Sequence, residues 1–402
     1  MILFEKPASL FGARLRCCSA FGALVLSIGT ALAQTSYVYV ESNIGKIANF
    51  NSVFAFKNDG LGNLTPLAGS PFLTGGTGVF DPGGGGVDPF NADQQVIANA
   101  DKTLLFAVNG HSNTIAVFSI NADGTLTNIP GSPFASGGQD PASVGLLQDS
   151  ITGLEFLVVV NKNEDPGQDI SGDVPNYTTF TVNANGSLTM NPGSTLDLAA
   201  DSSPTQALIR SAGHLLFGME INTSRIVTYK IKKSGGLSEV SSLTPPVGSP
   251  FLGEILHPTE RVLYAGLPVT NEVGVYKFDS AGMLKFRRTV PNAAGSLVCW
   301  LVTNAVGSRL YTSETATGTI SVFDITNATN PVLLQTLALS GVNQHPHNIA
   351  LDPSEKFLYA QAGINLHVMN CSSDGTLTET VSPVTLPESS DEMPIGLTAI
   401  QK

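Results

Sequence analysis

The sequence predicts an all-β fold: a ring of seven repeated four-stranded units, or seven-bladed β-propeller, closed by one blade that both termini share. Three observations predict it. A β-rich phrase with an aromatic or Met anchor occurs seven times, at Phe54, Phe118, Phe180, Tyr229, Tyr276, Phe323 and Met369. A glycine stands six residues after six of these anchors, at Gly60, Gly124, Gly186, Gly235, Gly282 and Gly375. The chain also starts, at SYVYVES (36–42), with what reads as a second strand and ends, at PIGLTAIQK (394–402), with what reads as a first. Anchor intervals of 64, 62, 49, 47, 47 and 46 residues compare with roughly 40–50 for one blade, the first two carrying insertions.

Within each unit the third strand carries the anchor. Asp-Gly or Asn-Gly follows it in DGTLT (123–127 and 374–378) and NGSLT (185–189); tight turns between alternating apolar runs need positive φ, so these are hairpins. Upstream lies a second strand, LLFAV, LLFGM, VLYAG, RLYTS or FLYAQ, with Phe106, Phe217, Tyr264, Tyr311 and Tyr359. Before it come an apolar inner strand and a polar turn, as in NIALDPSEKFLYA (348–360). Cys299 then falls on an inner strand and Cys371 at the end of a third strand, a separation that argues against a disulfide.

Residues 1–33 stand apart. Lys6, Arg14 and Arg16 precede an apolar run from about Ala20 to Leu32, and Ala31-Leu32-Ala33 precedes Gln34; this pattern predicts a cleavable secretory leader and a secreted or periplasmic mature chain, 34–402. The run falls short of the roughly 20 residues of a membrane span. Lys plus Arg total 20 against 32 Asp plus Glu in 402 residues, a balance that disfavours nucleic acid as a partner. A monomer without a membrane span after leader removal is expected.

Two insertions differ from the repeat. The Gly-rich run around Gly83–Gly86 lacks the helix start and Lys-Ser/Thr of a phosphate loop. The acidic loop 161–176, with Glu164, Asp165, Asp169 and Asp173, has oxygen ligands but not the EF-hand spacing for calcium, and reads as a solvated loop. No metal site and no cofactor are predicted. His345 and His347 alternate on an extended segment, which points the rings to opposite sides.

Chemistry is expected at the channel mouth, where loops entering inner strands and leaving second strands converge. On the entry side stand Gln206, Glu254, His345, His347 and Asn348. On the exit side stand Asn109, His111, Asn161, Lys162, Glu220, Asn222 and Glu314. A carboxylate and an imidazole in one channel can activate water and stabilise an oxyanion, the needs of ester or lactone hydrolysis. His214 and His257 fall in outer turns and are expected to be exposed.

The phrases AVNGHSNTIAVFSINADGTLT (107–127) and NIALDPSEKFLYA resemble the seven-bladed lactonase propellers, the family that includes bacterial 6-phosphogluconolactonase, and the likeness covers nearly all of 34–402. The family's Asn-Glu-Leu at the end of a second strand is matched by Met219-Glu220-Ile221, with Asn222 following. The resemblance implies Glu220 as base or water-orienting group. The family's Gly-Pro-Arg-His is replaced by Ser203-Pro204-Thr205-Gln206, which removes a guanidinium and an imidazole; His345 and His347 in the last repeat's His-Pro-His-Asn are the candidate replacements. The expected function is therefore a secreted hydrolase opening an uncharged lactone or sugar-derived ester. The alternative is a non-catalytic propeller that binds a carbohydrate, peptide or surface partner.

Overall fold

A computed structural model describes residues 34–81, 90–168, 172–244, 249–389 and 392–402. The predicted leader, Gly83–Gly86 and Asp169 lie outside the described residues. Residues 34–402 form one compact unit of seven antiparallel sheets, each with four strands in a continuous path and some with a short fifth segment. Among the described residues no helix is long and apolar enough to cross a membrane.

Blade one is built as expected from both ends of the chain. Its strands Ser36–Glu41, Ser52–Asn58 and Leu64–Pro66 are completed on the inside by Leu397–Gln401. The register runs from Ser36 opposite Gln401 to Val40 opposite Leu397, and Thr35 and Lys402 exchange two backbone hydrogen bonds of 2.7 and 3.0 Å. The inner strands of blades two to seven are Val96–Ala98, Pro141–Asp149, Leu208–Arg210, Glu254–Leu256, Val298–Thr303 and Pro346–Leu351.

The repeat has a packing logic. In blade two the second strand Leu104–Asn109 pairs with the third strand Thr114–Ile120 so that Leu105 opposes Phe118 and Phe106 opposes Val117. Side chains alternate across a sheet, so Phe118 joins Tyr39 of blade one while Phe106 joins Leu157 and Phe180 of blade three. The same division holds around the ring. Tyr229, Tyr276, Phe323 and Met369 face the preceding blade, and Phe217, Tyr264, Tyr311 and Tyr359 face the next. Seven apolar clusters between adjacent sheets result, in place of one central core.

The spaced glycines follow from the turns. All six have positive φ, between +82° and +99°, a region that glycine enters without steric cost. Second-strand tyrosines use these turns as acceptors: Tyr39 Oη donates to Gly124 O at 2.8 Å and Tyr311 Oη to Gly375 O at 3.1 Å, each in the next blade. Cys299 and Cys371 take the predicted strands, and both are free thiols.

Candidate functional site

The ends of the seven second strands are equivalent positions on one rim of the ring: Glu41, Asn109, Asn161, Glu220, Leu267, Glu314 and Ala362. The two asparagines are anchored within the protein. Asn109 accepts from Asn51 Nδ2 (2.9 Å) and donates to Thr114 Oγ1 (3.1 Å); Asn161 donates to Asn176 Oδ1 (2.9 Å) and Ser136 O (3.2 Å). Glu314 accepts from Thr312, from Thr319 (2.9 Å) and from Asn292 (2.8 Å), and burial pushes its carboxyl up to about 7 against those bonds.

Glu220 differs. One carboxylate oxygen accepts from the Thr223 hydroxyl, and the other lies 3.7 Å from the Arg225 guanidinium with no hydrogen-bond partner, although the residue is 1% exposed. Its strand end pairs with the entrance segment of blade four: Pro204 bridges Glu220, and Ile221 N–H donates to Ser203 O at 3.0 Å. From the other side, fully buried Lys162 reaches the same segment, donating to Ser203 Oγ at 2.5 Å and to Glu164. Ser203 has a φ of +54°, strain of a kind that gathers at functional sites.

Other predicted residues form a ring of polar contacts between blades. Gln206 Nε2 donates to Gln94 Oε1 (3.0 Å), and its Oε1 accepts from Glu254 N–H (3.0 Å). Asn348 donates to Asp93 Oδ1 (2.9 Å) and accepts from Gly396 N–H (2.9 Å). Asp93 N–H in turn donates to Thr205 O (3.2 Å). The segment around Asp93 and Gln94 therefore ties blades four and seven together. His111 Nδ1 meets Asp165 at 2.6 Å with its ring partly open to solvent. Asn222 is exposed.

The two histidines of blade seven part company. His347 is buried with Nδ1 on His345 O (3.1 Å) and Nε2 on Pro394 O (2.9 Å), so both nitrogens are engaged by backbone carbonyls, and burial lowers its basicity. Blade seven is also three places from blade four, the widest separation in a ring of seven. His345 is exposed, with Nδ1 on Thr315 O (2.9 Å).

The outer histidines correct the expectation of exposure. His257 is 6% exposed; its Nε2 faces Gly307 O at 3.0 Å and its Nδ1 accepts the Glu260 N–H at 3.0 Å. The imidazole fits beneath the adjacent blade's turn because residue 307 is glycine, where an added Cβ would lie 2.3 Å from the ring. His214 is half-buried and pairs with Asp149 at 2.6 Å.

Two entrance carboxyl groups escape sequence reasoning. Burial pushes Asp93 up to about 6 despite bonds from Gln94 and Asn348. It pushes Asp140 up to about 7 against the pull of Lys162. Each stands just before an inner strand, the signal that could have found them. Around the second-strand ends and inner-strand entrances stand the carboxyl groups of Glu41, Asp93, Asp140, Glu164, Asp165, Glu220, Glu254 and Glu314, with the cations Lys46, Lys162 and Arg225. Among the described residues no three His, Cys, Asp or Glu side chains form a metal-binding group.

A closed ring of seven blades with a polar, carboxyl-rich channel mouth defines a β-propeller. The chain belongs to the seven-bladed β-propeller lactonase family, whose model matches residues 94–391. Among solved structures, it is similar to a Lactobacillus plantarum protein and to the periplasmic gluconolactonase of Pseudomonas aeruginosa. Each is 16% identical with a TM-score of 0.70, over 91% of this chain and 99% of theirs. A candidate 6-phosphogluconolactonase from Bacteroides fragilis is likewise 16% identical, with a TM-score of 0.67 over 92% of this chain and 99% of its own. No curated protein matches the chain.

Proposed function

We propose that this protein is an exported hydrolase, secreted or periplasmic, that opens an uncharged lactone or sugar-derived ester at the channel mouth. One observation carries the reading: the buried Glu220 carboxylate keeps an oxygen without a hydrogen-bond partner beside the segment that Lys162 approaches from the other side. That oxygen takes a proton from the attacking water. Lys162 has three N–H donors, of which Glu164 and Ser203 take two; the third serves the developing oxyanion, a stabilisation that is strong where water is excluded. Of the predicted imidazoles, His111 and His345 each have one ring nitrogen engaged by the protein and the other turned to no described partner, whereas both nitrogens of His347 are engaged. Family membership and the leader-like residues 1–33 support the reading. At the Glu220 site Lys162 is engaged by Glu164, and Arg225 by Glu220 and Glu239, which favours a neutral substrate over a phosphorylated one that would need a free cation.

The test is turnover of neutral and phosphorylated sugar lactones by the purified protein and by Glu220→Gln. The neutral lactone should be opened, and the variant should lose about 10²–10⁴-fold in kcat. Equal turnover by both proteins removes Glu220 from the reaction, and a preference for the phosphorylated lactone overturns the charge argument. The second reading, binding without turnover, is favoured by how fully Gln206, His347 and Asn348 are engaged by the protein. Absence of turnover with every lactone would establish it over the first.

A further inference from the structure

A second carboxyl group stands in the same mouth. Glu254 opens the inner strand of blade five, is 1% exposed, and has no hydrogen-bond partner on either carboxyl oxygen. Its N–H is fixed on Gln206 Oε1 at the entrance of blade four. Ala265, directly opposite Glu254 in the strand pairing and so on the same side of the sheet, belongs to the cluster between blades four and five. Glu254 therefore leans towards blade four. There the Tyr177 hydroxyl of blade three lies within the electrostatic reach of both Glu220 and Glu254. Gly218 makes room for it, since an added Cβ would stand 2.2 Å from the phenol oxygen.

Two buried carboxyl groups thus bear on one hydroxyl in opposite surroundings. Glu220 has a hydroxyl donor and an arginine; Glu254 has neither donor nor cation. Two carboxyl groups in unlike environments divide into a proton acceptor and a proton donor. Burial alone pushes Glu254 well above the usual carboxylate range, which favours its protonated form.

We propose that Glu254 is the proton donor of lactone opening, delivering its proton to the ring oxygen as that oxygen departs while Glu220 accepts one from the attacking water. The proposal rests on the hydrolase reading. The water oxygen bonds to the carbonyl carbon, the carbon–ring oxygen bond breaks, and the ring oxygen leaves as a hydroxyl bearing the Glu254 proton. Exchange with solvent returns the proton on Glu220 and restores that on Glu254, so lactone plus water gives the hydroxy acid with nothing else consumed.

The experiment compares an alkyl lactone, δ-valerolactone, with an aryl lactone, dihydrocoumarin, in the full protein, Glu254→Gln and Glu220→Gln. A phenoxide leaves without help, whereas an alkoxide needs a proton. Glu254→Gln should lose about 10²-fold or more in kcat on the alkyl lactone, with the basic limb of its pH profile, and stay within about threefold on the aryl one. Glu220→Gln should fail on both. Equal loss on the two lactones, or no loss on either, overturns the role of Glu254 and leaves Glu220 standing; an unmodified protein that opens neither lactone overturns both. If Glu254→Gln does not fold, Glu254→Asp replaces it: the retained but shortened acid must slow the alkyl lactone more than the aryl one, and the reverse order overturns the proposal.

Discussion

Glu314 links the rim to stability in a way that can be measured. Its carboxyl is pushed from an ordinary value of 4.5 up to about 7 by burial. The folded chain therefore holds this proton through a pH window in which the unfolded chain has released it. Stability from this group is fully present below about pH 4.5 and is lost as pH rises through about 7, at about 1.4 kcal/mol per pH unit. The window spans about two and a half units, so the loss is about 3 kcal/mol. Glu314→Gln keeps the side-chain shape and its amide can meet Thr319 and Asn292, but it has no proton to release. Equilibrium urea unfolding at pH 4.5, 5.5, 6.5 and 7.5 measures the effect. The single Trp of the chain, Trp300, lies in the same blade with its backbone N–H on Ser313 Oγ at 3.1 Å, and its fluorescence reports the transition. Asp93 and Asp140 titrate alike in both proteins, so the difference between them isolates Glu314. The variant should gain about 3 kcal/mol on the parent between the lowest and highest pH. A difference constant to within about 0.5 kcal/mol would refute the assignment of a proton to the folded carboxyl.

Phe118→Ala should cost about 3–5 kcal/mol in urea melts, because the ring is 1% exposed and joins blades one and two; a loss below about 1 kcal/mol would contradict its role as an anchor. Cys299 and Cys371, whose thiols burial raises to about 11 and about 12, should resist an aromatic disulfide reagent at pH 8 in the folded protein and react fully in urea. Rapid labelling of either in the folded state would show that the strands around it open.

The architecture was legible because the repeat encodes its own packing. An aromatic on the second strand and an anchor on the third take opposite faces, and the glycine six residues later adopts a conformation few other residues tolerate. Periodicity therefore told which residues face which blade. The site was legible only where it coincides with the repeat: Glu220 and Glu314 end second strands, and Gln206 and Asn348 stand at inner-strand entrances. Asp93 was hidden because its partners, Asn348 and Thr205, are brought near by the ring and not by the chain. His347 read as a free imidazole because nothing in its neighbours reveals that the Pro394 carbonyl, 47 residues on, caps its Nε2. His257 read as exposed because a polar turn gives no hint that a glycine in the next blade leaves space for a ring.

The pairing of Ser36–Glu41 with Leu397–Gln401 has a bearing on how the molecule is made. The first strand of blade one has to wait until Leu397–Gln401 has been made before its inner neighbour arrives, so assembly during synthesis cannot be finished piecemeal. Until then the ring is a horseshoe with two bare flanks. Residues 397–401 act as the clasp, and cutting the chain just before them would harm the protein far more than the length of that segment suggests.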